Sequence, residues 1–315
     1  MDKALLIIIL IFYCPAALWL FLYGINNYYM IYLFLRKVRK ETSGNQEFLK
    51  QFWLDHSNDM LPKVTTQLPV YNERHVVERL IKAVVNIDYP KEFHEIQVLD
   101  DSNDETRNIV SALVNKYSAR GFNIKHIVRD NRDGFKAGAL NLGMEKAEGE
   151  FLAIFDADFV PDKDFLYDTI PFFYESPKVA IVQTRWGHIN RNYSLLTIAQ
   201  SIGMDGHFII EQGARTWNGL YMNFNGTAGV WRREAIIDSG GWHFDTLTED
   251  LDLSYRAQLK GWKTKFLFDV VAPSELPVDI NAYKSQQHRW AKGSIQTAKK
   301  VLPQVFKTND SLIKK

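Results

Sequence analysis

Four short signatures whose residue types could do chemistry stand in one order: Asp100-Asp101-Ser102, Asp156-Ala157-Asp158, Thr248-Glu249-Asp250 and Gln286-Gln287-His288-Arg289-Trp290. Two carboxylates separated by one residue, as in Asp156 and Asp158, can both turn toward a cation. Mg²⁺ and Mn²⁺ prefer such oxygen ligands and share them with diphosphate oxygens. A further carboxylate can take a proton from an attacking hydroxyl. The permanent charge of Arg289 can fork onto phosphate oxygens, and Trp290 offers a flat face of the kind on which sugar rings stack. As an ordered set, these are the parts needed to move a group off a nucleotide diphosphate.

Each signature also has an ordinary reading. Carboxylate pairs at strand ends are common, and Asp and Ser close turns and cap helices, so Ser102 or Asn103 could simply start a helix near Glu105. Thr248 is a natural N-cap, and Glu249 and Asp250 then fall in a first turn, where the helix dipole favours their ionised form. That suits a base, yet acids are enriched in first turns without any such duty. Lys136-Ala137-Gly138-Ala139-Leu140-Asn141 follows the Asp133-Gly134 turn and could let backbone approach a phosphate or simply pack closely on a sheet. Asn223 to Gly229 suits either a ligand-lining segment or a turn before Val230-Trp231. His188, His207 and His243 lack metal-ligand spacing and read as structural or generic polar groups.

The elements that must position these residues alternate between strand-like and helix-like runs from Val64 onward, the pattern of an α/β sheet. Val64–Val70 reads as a strand. Asn72 then caps a helix bearing Val76, Val77, Leu80, Ile81, Val84 and Val85. Ile96–Leu99 and Phe151–Phe155 are buried strands that deliver Asp100-Asp101 and Asp156-Asp158 at their carboxyl ends, where open α/β sheets bind ligands. A helix over about Glu105–Tyr117 and a strand over Ile124–Val128 lie between them, and Leu251–Leu259 continues as a helix. Val271–Pro277 reads as a loop before the helix that carries Gln286 to Trp290.

Composition narrows the classes. The 315 residues carry Lys+Arg 38 against Asp+Glu 37, a net charge of +1, which argues against a nucleic-acid partner. Cys14 alone excludes an internal disulfide framework. Ala4–Tyr23 contains no charge and resumes its apolar character over Tyr28–Leu35, so residues 1–35 read as a transmembrane anchor rather than a cleaved leader. Arg36, Lys37, Arg39 and Lys40 follow at once, which puts the remainder in the cytoplasm. Residues 36–63 are expected to be a cytoplasmic linker and 64–303 the globular domain. Within 281–315, Lys292, Lys299, Lys300 and Lys307 alternate with Ile295, Val301, Leu302 and Val305, as in an amphipathic helix lying on a membrane surface.

Gln67-Leu68-Pro69-Val70-Tyr71-Asn72-Glu73, Gln97 to Ser102, Asn223 to Gly229 and the four signatures resemble the processive family-2 glycosyltransferases of the cellulose synthase superfamily. Within that group the resemblance is to cellulose-synthase-like mannan and glucomannan synthases and their bacterial relatives, from about Val64 to Pro303. The resemblance implies a GT-A fold, a divalent metal, Mg²⁺ or Mn²⁺, and inverting transfer of a hexose from GDP-mannose or UDP-glucose to a β-linked polysaccharide. Carried over residue by residue, it makes Asp250 the base and gives donor contacts to Asp100, Asp101, Lys136, Asp156, Asp158 and Arg289, with Asp156 and Asp158 holding the metal. Asn225, Gly226, Thr227, Glu249 and Trp290 would line the acceptor, with Thr248 and Gln286 supporting the motifs. Members of the family continue beyond the Gln-x-x-Arg-Trp motif into channel-forming transmembrane helices, whereas 281–315 holds no apolar run long enough to span. A fragment of a longer synthase, or reliance on further membrane subunits, is therefore expected. Single-sugar transfer to a lipid and a non-catalytic nucleotide-sugar-binding subunit are the alternatives.

Overall fold

The computed structural model describes residues 3–56, 61–129, 131–311 and 314. In chain order its elements are α1 (Lys3–Asp55), β1 (Val64–Val70), α2 (Val77–Val85), β2 (His94–Asp100), α3 (Thr106–Ser118), β3 (Asn123–Val128), α4 (Phe135–Lys146), β4 (Phe151–Ile154) and α5 (Phe165–Thr169). They continue with β5 (Val179–His188), α6 (Leu195–Asp205), a π-helical segment Gly206–Glu211, α7 (Gln212–Trp217), β6 (Gly229–Arg232), α8 (Arg233–Asp238), α9 (Glu249–Leu259), β7 (Lys263–Ser274) and α10 (Ile280–Lys307).

The strands form one 7-stranded mixed sheet in the order β3-β2-β1-β4-β6-β5-β7. β1 runs parallel to β2 and β4, so Val70 lies beside Asp100 and Gln67 beside Ile154. The segments after β1, β2 and β4 therefore leave the sheet at one edge. β6 is antiparallel to β4, with Gly229 opposite Ile154, so the turn that leads into β6 enters at that same edge. β7 is parallel to β5, and its far end brings Ser274 next to His188. The segments that carry Asp100-Asp101 and Asp156-Asp158, and the chain that leaves β7 toward α10, thus share one rim for a topological reason.

Burial holds the rim rigid. Helix α2 sets Val77, Leu80, Ile81, Val84 and Val85 against the sheet at helical spacing. Phe151, Phe155, Phe159, Phe165, Phe172 and Phe173 are fully buried behind the segment that carries Asp156 and Asp158. Removing one such phenylalanine typically costs about 3–5 kcal/mol.

Several local expectations are corrected. Residues 36–55, expected as linker, continue α1 without a break, because Leu33, Phe34 and Phe52 bury against the domain and Phe34 stacks on Trp217 at 5.5 Å. The rest of the linker reaches 57–60, outside the described residues. Asn72 does not cap α2: its φ of 57° turns the chain, and its side chain bonds Asn103 instead. Thr248 precedes α9 but makes no capping bond; its Oγ1 lies 3.0 Å from that of Thr297. Residues 271–274, expected in a loop, end β7.

Helix α1 is 53 residues long, about 80 Å at 1.5 Å per residue, against a hydrocarbon core of about 30 Å. Its N-terminal part exposes large apolar side chains almost continuously from Leu5 to Leu35, and it is long and apolar enough to cross a membrane. Helix α10 buries Gly293, Thr297, Val301 and Val305 on the domain. Lys300 and Val301, expected on a membrane-facing helix, thus belong to its protein-facing side, while Ile295, Leu302 and Phe306 are exposed.

Candidate active site

The chain leaves β4 at Ile154 and places Asp156 beside the β6 turn, where its backbone N–H donates to Thr227 Oγ1 at 2.8 Å. Lys136, from the first turn of α4, ion-pairs with Asp156 and donates to the Gly226 carbonyl at 3.0 Å. Gly226 has φ +78°, and a Cβ there would stand 2.8 Å from Asp250 Oδ2. Both the backbone conformation and the close approach of the carboxylate demand glycine. One lysine therefore bridges the β4 acids to the turn against which Asp250 lies.

The electrostatics of this cluster are strained by crowding of like charge. Burial, and then Asp156, push the Asp158 carboxyl up to about 7. Glu73, which follows β1, is raised by burial and then by Asp156. Asp250 is pushed up to about 7 by burial and then by Glu249, with Lys136 opposing, and Glu249 is itself raised by burial. Burial alone would favour a neutral Lys136, but Asp156, Glu249 and Asp250 together hold it above the ordinary lysine value. No lysine or arginine pairs with Asp158 among the described residues. Asp156, Asp158 and Glu73 thus lie near enough for charge on one to raise the pKa of another, an acidic corner of the rim in which Lys136 pairs with Asp156.

Asp100 and Asp101 lie elsewhere on the rim, and both are engaged. Asp100 is fully buried, accepting from the Ser102 N–H at 2.8 Å and lying 2.8 Å from His126 Nε2. Asp101 is nearly buried and forked by Arg129, whose Nε donates at 2.6 Å. Arg132 stacks over the Tyr71 ring 3.2 Å from its centroid, giving this end of the rim a cationic, aromatic face. Arg289 is exposed on α10 and near enough for its charge to lower the pKa of Glu249, while Trp290 packs partly on the main core. Gln286 is partly buried.

Helix α10 is keyed to the turn that carries Glu249 and Asp250. A Cβ on Gly293 would sit 2.5 Å from Thr248 Cγ2, and Gln296 accepts from the Leu247 N–H at 3.0 Å. Lys300 reaches Asp252 at 3.0 Å, Asp245 at 2.8 Å and His243 at 3.1 Å. His243, Asp245 and Asp252 are close enough together to ligate a metal, but the Lys300 ammonium and Arg256 already neutralise the group. It reads as a structural ion network. Glu73, Asp252, Gly293 and Thr297 were assigned no role from the sequence, and Lys300 only a place on a membrane-surface helix. Glu73 was signalled by its place just after β1, whereas the α10 residues had only four-residue spacing to mark them.

A mixed sheet with acids clustered on its open rim defines a GT-A-like protein. The profile described as glycosyltransferase-like family 2 matches residues 62–293, and the chain belongs to that family. Glucomannan 4-beta-mannosyltransferase 1 of Cyamopsis tetragonoloba is 43% identical over 282 residues, which cover 88% of this chain and 53% of that protein. Glucomannan 4-beta-mannosyltransferase 7 of Arabidopsis thaliana is 44% identical over 259 residues, 81% of this chain and 47% of the relative. The chain thus spans about half the length of the curated relatives it matches. Among solved structures, the mannosyltransferase PcManGT from Pyrobaculum calidifontis in complex with GDP-Man and Mn²⁺ superposes with a TM-score of 0.64 at 21% identity, covering 87% of this chain and 76% of that one. S. aureus TarS 1-349 in complex with UDP-GlcNAc gives 0.52 at 19%, over 69% and 59% of the two chains.

Proposed function

We propose that the chain transfers mannose from GDP-mannose to the growing end of a β-1,4-linked mannan or glucomannan, with inversion, on the cytoplasmic face of a membrane that α1 crosses. The observation that carries this is the convergence of Asp156, Asp158, Glu73 and Lys136 with Asp250 at the Gly226 turn. The identity of the sugar is drawn from the relatives' names and from the donor and metal printed for PcManGT.

Asp156 and Asp158, with Glu73 nearby, would hold a divalent cation, which when bound supplies charge for the diphosphate to leave against. Lys136 fixes Asp156 and the Gly226 carbonyl together, so the donor side and the acceptor side keep one spacing. Arg289 is free to swing from solvent onto the diphosphate. Asp250 takes the proton of the attacking hydroxyl. A single base beside the acceptor turn suits one in-line displacement, and that inverts the anomeric carbon.

Release of GDP by detergent-solubilised protein given GDP-mannose, Mn²⁺ and a manno-oligosaccharide tests this reading, with UDP-glucose and a chelator as comparisons. GDP release that a chelator abolishes supports it; release from UDP-glucose alone would contradict the sugar. Donor binding without release from either sugar nucleotide would favour a non-catalytic subunit.

A pH profile gives a further expected result. Asp250 works as a base only when ionised, and burial and Glu249 hold its carboxyl up at about 7. Activity is therefore present above that value and lost as pH falls through it. In the free enzyme kcat/KM should rise through about pH 7; a rate that is flat from pH 5 to 8 would contradict the assignment.

A further inference from the structure

Helix α6 is built inside out. Its buried residues are Thr197, Gln200 and Ser201, whereas Leu195, Ala199, Ile202 and Gly203 are exposed. The exposed positions recur at i, i+4, i+7 and i+8, so they form one stripe along the helix. Leu195 is 86% and Ile202 61% open, and Tyr193, just before the helix, is 70% open. No charged residue interrupts the run between Arg191 and Asp205.

A water-facing helix shows the reverse order, apolar side in and polar side out. The polar side of α6 is nonetheless held by the protein. Ser194 and Thr197 close a capping box, and Ser201 Oγ donates to the Ile198 carbonyl at 2.8 Å. Gln200 Nε2 donates to the Pro277 carbonyl at 2.8 Å. Ahead of the helix, Asn190 Nδ2 donates to the Leu276 carbonyl at 2.8 Å, and Asn190 Oδ1 accepts the Leu276 N–H at 2.8 Å. These bonds tie α6 to the segment that leads into α10 and keep the apolar stripe facing out. A contiguous apolar surface of this kind marks a contact with something other than water.

What lies against the stripe follows from α1. The apolar exposure of α1 runs from Leu5 to Leu35, about 46 Å at 1.5 Å per residue. A bilayer with its headgroups is about 40–45 Å thick. Exposed Tyr23, Tyr28, Tyr29 and Tyr32 gather toward the end of that run, as such rings do at a membrane–water boundary. Exposed Arg36, Arg39 and Lys40 follow. The domain grips α1 at this same level. Phe34 stacks on Trp217, Lys37 Nζ donates to the Trp217 carbonyl at 3.1 Å, and Met30, Leu33 and Phe34 share a core with Ile209 and Ile210. Those isoleucines belong to the π-helical segment into which α6 runs without a break. Ile202 lies about two turns before Ile209, so this end of α6 stands close to the headgroup layer.

We infer that α6 lies in the headgroup layer of the membrane that α1 crosses, with Tyr193, Leu195 and Ile202 among the lipid. An interfacial helix buries its apolar face at the boundary of headgroups and acyl chains. Here lipid covers that face, while protein rather than water covers the polar one. The inference goes beyond sugar transfer and rests on α1 as a membrane span. Through Asn190 and Gln200 the seat would hold the segment before α10, and with it the rim, toward the bilayer.

The test uses the full chain in vesicles of phosphatidylcholine and phosphatidylserine, with Cys14→Ser removing the native thiol. Single reporters from Ile202→Cys, Leu195→Cys, Leu10→Cys and Leu54→Cys each carry an environment-sensitive fluorophore. All four parent side chains are exposed, so the label displaces no core packing. Quenching by aqueous iodide is compared with quenching by lipid bearing a nitroxide near its headgroup. Iodide quenching at Ile202 and Leu195 is expected to be about fivefold weaker than at Leu54, with strong quenching by the nitroxide lipid. Iodide reaching both α6 reporters as freely as Leu54, while Leu10 is shielded and lipid-quenched, overturns this inference alone. Leu10 open to iodide as well removes the membrane from α1 and overturns both readings. Reporters on α6 that are shielded from iodide yet untouched by nitroxide lipid mark a covering protein, which also overturns it.

Discussion

Replacing Asp250 by asparagine is expected to lower sugar transfer by about a hundred- to ten-thousand-fold while leaving GDP-mannose binding intact. The amide has the shape of the carboxylate, can still accept the Leu251 N–H bond that Oδ1 now takes at 2.8 Å, and fits the same space against Gly226. What it lacks is the ability to take a proton. A second, independent signature accompanies the loss. The Asp250 carboxyl rises on folding from the ordinary 3.8 to about 7, so its ionisation opposes folding. That opposition is absent at low pH, grows as pH rises between the two values and is complete above the upper one. Asp250→Asn should therefore melt at a higher temperature than the parent at pH 8, with the gap closing toward pH 4. Rapid-quench turnover, donor titration and thermal melts at several pH values read these outcomes. Weakened donor binding with normal turnover of bound donor would overturn the role given to Asp250.

Gly293→Ala is the second large effect. An alanine methyl on α10 would meet Thr248 Cγ2 at 2.5 Å and Thr248 Oγ1 at 3.0 Å, with the Leu247 carbonyl carbon at 3.1 Å. Backbone on one side and a β-branched side chain on the other leave little to yield, so the turn that carries Asp250 must shift. Misplacing a reacting group by about an ångström can cost about a hundredfold in rate. The expected result is a kcat lower by that order, with donor Kd changed less, because Asp156, Asp158 and Lys136 lie on other elements and only Arg289 shares α10 with Gly293. Thr248→Ser removes the nearest clashing atom, so the Gly293→Ala/Thr248→Ser double variant should regain part of the loss. Additive losses in the double-mutant cycle would show that the two residues do not act through one contact.

Strand β4 was legible because it is a continuous apolar run, which is how a strand buried on both faces reads, whereas β1 and β2 had to be read through buried Thr65, Thr66, Gln67, Glu95 and Gln97. Asp156 and Asp158 were legible for the same reason, since an acid directly after a buried run stands at the open rim, whereas Asp250 was marked only by its place after Thr248 in the first turn of a helix. The pairing of Lys136 with Asp156 was not, since it depends on α4 returning across the sheet to meet β4. Asp100 and Asp101 looked equivalent in sequence, yet pleat alternation turns Asp100 inward to His126 and leaves Asp101 to Arg129. Helix α10 read as a membrane-surface helix because its lysines alternate with apolar residues. Lys300 proves to be the counter-ion of buried Asp252, a pairing that only tertiary packing sets.

The measurement that bears most directly on the central claim is the product itself. Detergent-solubilised chain is given Mn²⁺, radiolabelled GDP-mannose and a short β-1,4-manno-oligosaccharide, and the labelled products are sized and digested with an endo-β-mannanase. The account predicts labelled oligosaccharide longer than the primer, sensitive to the mannanase and absent with Asp250→Asn. Label recovered only as free mannose or on lipid, or an extended product formed from UDP-glucose and not from GDP-mannose, would contradict it.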